Sequence, residues 1–140
     1  MFKKIIVALA FVSTPAWADK PPFTGIDHSG RYQCKGVDSH TGPFEGVVDL
    51  KLNPLQSTGE HGAYSIKLTL PDNTFYDGFA GADSDSLAIY FAHQDPSLKD
   101  YGVGIAKISS TPDGKTAFSK YYYGPEYQGG GHGFETCVKS

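Results

Sequence analysis

The chain has 140 residues, with 12 basic against 15 acidic side chains and a formal charge of -3. That length holds one domain, and 39% hydrophobic with 19% charged residues excludes a disordered acidic tail or a collagen-like chain. A weakly acidic chain with a single Arg lacks the basic footprint of nucleic-acid binding.

The first eighteen residues read as a secretory signal peptide. Lys3 and Lys4 supply a basic start, Ile5–Val12 an unbroken apolar run, Pro15 a helix break, and Ala16-Trp17-Ala18 small residues at the -3 and -1 positions of a cleavage site. Eight apolar residues fall far short of the roughly 20 needed to cross a bilayer, so no membrane span is expected after cleavage at Ala18. The remainder, Asp19–Ser140, carries ten basic against fifteen acidic residues. A short signal and the lack of an N-glycosylation sequon fit a bacterial export product, periplasmic or secreted. Asp19-Lys20-Pro21-Pro22 opens a polar stretch, residues 19–29, that reads as a flexible leader. Residues 30–140 then form a single domain.

Cys34 and Cys137 are the only cysteines, 103 positions apart. In an oxidising compartment an even count predicts a disulfide, and the spacing lacks the clusters of a metal site. Closing a loop of this length stabilises a fold by roughly 4.7 kcal/mol in the chain-entropy view. It also requires the first and last structured segments to meet.

Between them apolar residues alternate with polar ones at period two. Phe44-x-Gly46-x-Val48-x-Leu50-x-Leu52 is the clearest run, followed by Tyr64-x-Ile66-x-Leu68-x-Leu70, Leu87-x-Ile89-x-Phe91, Tyr101-x-Val103-x-Ile105 and Phe118-x-Lys120-x-Tyr122. Such alternation marks half-buried antiparallel strands, expected at 30–36, 44–53, 63–70, 74–82, 86–93, 101–109, 115–123 and 133–138. Turn formers separate them: Asn53-Pro54, Pro71-Asp72-Asn73, Asp83-Ser84-Asp85, Asp95-Pro96 and Pro112-Asp113-Gly114. Eight short strands predict an all-β, eight-stranded up-and-down barrel, with a two-sheet sandwich as the alternative. The cysteines favour the barrel, in which the last strand pairs with the first.

Two strands carry faces of small residues: Gly78, Ala80 and Ala82, and Gly102, Gly104 and Ala106. Turned inward they leave a ligand cavity. The reading preferred from sequence is that the large residues between them fill the core while the glycines let the strands coil.

Gly30-Arg31-Tyr32 opening the first strand, with eight meander strands and end-to-end closure, resembles the calycin group of lipocalin- and avidin-like small barrels. The resemblance implies a small exported barrel with a binding mouth. Those families usually carry Trp where Tyr32 stands, and no Trp follows residue 18, so it implies no biotin-type aromatic cage and no individual ligand residue.

The segment richest in recognition chemistry is the last hairpin. Tyr121, Tyr122, Tyr123, Glu126, Tyr127 and His132 lie in a Tyr- and Gly-rich stretch, offering flat rings with hydroxyl tips on adaptable backbone. His28 and His40 read as solvated, and none of the five histidines has metal-ligand spacing. No catalytic motif, cofactor loop or metal site is expected. The expectation is an exported, non-enzymatic binding protein. It recognises a small apolar or aromatic ligand, or a partner protein, through this C-terminal surface; inhibition of a hydrolase is one form of that role. The alternative is a small isomerase or hydrolase using His93, Asp95, Glu126 or His132 in the barrel mouth.

Overall fold

The structure, a computed structural model, describes residues 19–140; the expected signal peptide, 1–18, lies outside the described residues. Eight antiparallel strands form a closed barrel in simple sequence order: β1 (Gly30–Asp38), β2 (Gly42–Leu52), β3 (His61–Thr69), β4 (Phe75–Asp83), β5 (Ser86–His93), β6 (Tyr101–Ser110), β7 (Thr116–Gly124) and β8 (Gly131–Lys139). The ends differ from the sequence expectation by at most two residues, because the ladder continues into the turn residues. The sandwich alternative is excluded by the pairing of β1 with β8. Cys34 and Cys137 are directly opposed in that pair and form the disulfide that fastens the seam.

Alternation decides what lies inside. Tyr32 and Cys34 on β1, Val48 and Leu50 on β2, Tyr64 and Ile66 on β3, Leu87 and Ile89 on β5, Phe118 on β7 and Cys137 on β8 are buried together. Each large apolar side chain fully buried contributes roughly 1.5–3 kcal/mol. The small-residue faces of β4 and β6 also point inward, with Ala80, Ala82 and Ala106 buried, while Phe79, Val103 and Ile105 stand in solvent. That reverses the preferred sequence reading for these two strands. The interior already receives bulky rings from β1, β3 and β7, and small residues on the neighbouring strands β4 and β6 are what fits.

One end of the barrel is plugged. The stretch 19–29, expected to be a flexible leader, is docked from Lys20 onward: the Thr58 hydroxyl donates to the Pro21 carbonyl at 3.0 Å, and the Thr24 amide donates to the Gly59 carbonyl at 2.8 Å. His28, expected to be solvated, is buried. Its amide donates to the Tyr64 hydroxyl at 3.1 Å, and its carbonyl accepts from the Tyr32 hydroxyl at 2.7 Å. The Tyr32 and Phe118 rings pack at 5.1 Å between centroids just inside. The sequence hid this because a short polar stretch carries no period; its order comes from two tyrosine hydroxyls that need partners once buried. Of the turns, the Ser84 carbonyl accepts from His28 Nε2 at 3.2 Å, and Gly114 takes the positive φ of 84° that its tight turn requires.

Candidate functional site: a cup at the open end

The opposite end carries the β1–β2, β3–β4, β5–β6 and β7–β8 connections and opens into a cavity of about 170 Å³. Its wall is apolar, formed by Phe44, Val48, Ile66, Leu68, Ile89 and Phe91. These are inward positions of β2, β3 and β5, placed there by the period-two pattern.

Two charged side chains line the cavity deep in the barrel. Lys120 on β7 and Glu135 on β8 are register partners, and both are buried. Lys120 Nζ touches Glu135 Oε1 as an ion pair. It also lies 5.5 Å from the Phe91 ring centroid and 5.4 Å from that of Tyr122. Glu135 Oε2 has no hydrogen-bond partner among the described residues. Lys120 offsets the charge of the carboxylate, but a buried oxygen without a donor is under-satisfied, and a donor-bearing group held in the cavity could supply what it lacks. Glu135, Cys34 and Cys137 also cluster, but both sulfurs are committed to the disulfide and offer no metal site.

At the rim two tyrosines are tethered to carboxylates. The Tyr122 hydroxyl donates to Asp38 Oδ2 at 2.8 Å, and the Tyr76 hydroxyl donates to Asp100 Oδ2 at 2.7 Å. Burial, reinforced by these acceptors, pushes both phenols well above their usual range. Burial opposes ionisation of Asp38, yet hydrogen bonds from Tyr122 and from the amides of His40 and Thr41 prevail and hold its carboxyl below the ordinary value. Gly133 on β8, opposite Tyr122, is what lets the ring lie flat: a Cβ there would stand 2.2 Å from the phenol oxygen. His40, expected to be solvated in a loop, is exposed, and its Nε2 bonds to the Gly130 carbonyl at 2.9 Å with the ring edge-on to Tyr127. The β1–β2 turn and the Gly-rich β7–β8 loop are thereby joined into one lip.

The structure divides the residues proposed from sequence. Tyr122 and Tyr127 line the cup. Tyr121, Tyr123 and His132 project outward from β7 and β8. Glu126 is exposed, accepting from the Tyr101 hydroxyl at 2.6 Å and pairing with Lys99 at 3.6 Å. His93 and Asp95 sit beside the mouth rather than on the cavity wall: the Asp95 amide donates to His93 Nδ1, and Asp95 caps the short turn Pro96–Leu98. The sequence reading did not select Asp38, Asp100, Lys120 and Glu135. A usable signal existed for two of them. Lys120 shares a face with Phe118 and Tyr122, and Glu135 shares one with Cys137, so both fall at inward positions where charge is unexpected.

No family model, curated protein or solved structure matches the chain. The calycin-like resemblance is one of architecture: an eight-stranded antiparallel barrel with neighbour-to-neighbour connections.

Proposed function

We propose that the chain is an exported, non-enzymatic binding protein whose cup holds a small molecule with an apolar or aromatic body and a hydrogen-bond-donating head, an amine or a hydroxyl. The observation that carries this reading is the pairing of an apolar-walled cavity with a buried, unsatisfied carboxylate oxygen on its lining. The volume sets the size, since a dry cavity of about 150 Å³ takes a benzene ring. The charge sets the head group. Lys120 is already opposed by Glu135, and the remaining carboxylates at the rim, Asp38 and Asp100, disfavour an anion. The disulfide at the seam supports export into an oxidising compartment.

The test is native mass spectrometry of the protein purified from its own source, with Leu68→Trp as a variant that fills the cup. A small basic or hydroxylated adduct present on the wild-type chain and absent from Leu68→Trp is expected. Wild-type protein that carries no adduct, or binds one equally well with the cup filled, contradicts the proposal.

A further inference from the structure

The outer surface of the barrel is two-sided. On β1–β3 the outward residues include Arg31, Lys35, Glu45, Asp49, Lys51 and Lys67, as a solvated face requires. Across β4–β8 and onto β1 an apolar band crosses the outward face, bounded by Asp77 on one side and by Asp83, Lys107, Ser119 and Thr136 on the other. Two adjacent register rows run around the barrel there. One is Phe79, Tyr90, Val103, Tyr123 and His132; the other is Gly81, Ala88, Ile105, Tyr121, Phe134 and Val37. No Asp, Glu, Lys or Arg interrupts either row. Ile105 is 67% exposed, Phe79 65% and Phe134 62%. The Phe79–Tyr90 and Tyr121–Phe134 rings pack against one another at 5.5 and 5.3 Å, so the surface is already ordered.

We infer that this face is the interface of a homodimer, two barrels packed side by side through β5–β8. Three features point to a second copy. First, a closed barrel has no strand edge for an extended peptide to extend, so contact is through side chains on the face of a sheet. Second, neither row carries an Asp, Glu, Lys or Arg, and the second rises in size from Gly81 and Ala88 to Tyr121 and Phe134. A two-fold axis parallel to the strands between β6 and β7 sets Phe134 of one copy over the Ala88 recess of the other, and Tyr123 over Val103. Third, the area suffices. Barrel curvature turns β4 and β1 away, and the large residues of β5–β8 expose about 600 Å² per copy, or about 1,200 Å² per pair, the lower bound of stable interfaces. The inference is independent of the ligand reading, because these side chains point away from the cup.

The experiment is sedimentation equilibrium of the disulfide-bonded chain from about 1 to 100 µM, an interval spanning the micromolar affinity such an area supports. Wild type should move to twice the monomer mass within that range. Ile105→Glu should stay monomeric with an unchanged far-ultraviolet spectrum. Phe134→Ala and Ala88→Phe should each weaken association at least about tenfold, and the double variant, which exchanges ridge and recess, should recover most of it. A wild-type chain that stays monomeric throughout overturns the inference, as does one that is monomeric but floats with phosphatidylcholine vesicles. A dimer that Ile105→Glu leaves intact overturns it equally.

Discussion

Lys120 and Glu135 face each other across β7 and β8 at positions the strand pattern reserves for apolar side chains, with the seam disulfide beside the carboxylate. A buried pair of this kind contributes little net stability compared with apolar residues of similar volume, but half of it is costly. Lys120→Met should therefore lose about 3–5 kcal/mol by leaving an uncompensated carboxylate, while Lys120→Met with Glu135→Leu should recover most of that loss. Urea unfolding of the four proteins of this cycle measures it. A double variant as unstable as Lys120→Met alone would show that the site's packing, rather than its charge, sets the cost.

The seam disulfide closes nearly the whole barrel into one loop. Replacing both Cys34 and Cys137 by Ala should cost about 2–5 kcal/mol and lower Tm by roughly 10–20 °C. Thermal unfolding followed by circular dichroism checks this, with reduction of the wild type expected to give the same shift. An unchanged Tm would mean that strand pairing alone holds β1 to β8.

Two inward glycines are fixed by backbone contact and one outward glycine is not. A Cβ on Gly78 would stand 2.0 Å from the Tyr90 carbonyl, and one on Gly102 2.3 Å from the Tyr123 carbonyl, whereas nothing lies within 4 Å of one on Gly81. Gly78→Ala and Gly102→Ala should each destabilise by about 2 kcal/mol or more. Gly81→Ala should be neutral, or stabilising by about 0.4–1 kcal/mol through the unfolded chain. Denaturation midpoints for the three variants decide the matter.

Stability should fall at both extremes of pH. The Asp38 carboxyl lies below its unfolded value, so the stability it contributes is present above that value and is lost as pH falls through the folded one, below about pH 4. For Tyr32, burial first, then the neighbouring Tyr64 and Asp27, push the phenol up to about 12. Its contribution is full below about pH 10 and is lost as pH rises through the folded value. Urea midpoints across pH should show both limbs, the acid one reduced in Asp38→Asn and the alkaline one reduced in Tyr32→Phe, with the rest of the alkaline limb carried by the half-buried Tyr76 and Tyr122 phenols.

Strand count, barrel closure and the disulfide were legible because period-two alternation and a single cysteine pair constrain them strongly. The cup was legible only in part. Tyr121, Tyr122 and Tyr123 are consecutive, so alternation from Phe118 sends the middle ring inward and its neighbours outward, whereas residue type alone gave all three the same weight. In β4 and β6 the large apolar residues Phe79, Val103 and Ile105 share their face with Asp77, Asp83 and Lys107, a charge signal that size outweighed in the reading, and the small residues turn into an interior already supplied with rings from β1, β3 and β7. The plugged end was illegible for another reason. His28 is buried by hydrogen bonds to tyrosines 4 and 36 positions away, which no local pattern records.

The central claim is that the cup binds a small donor-headed ligand, and the most direct measurement is an amide NMR titration of the purified chain with benzylamine and, separately, benzoate. Saturable shifts with benzylamine that centre on Val48, Ile66, Tyr122 and Glu135, disappear in Leu68→Trp and are absent with benzoate are predicted. Preferential binding of benzoate, or shifts that survive filling of the cavity, would contradict the account.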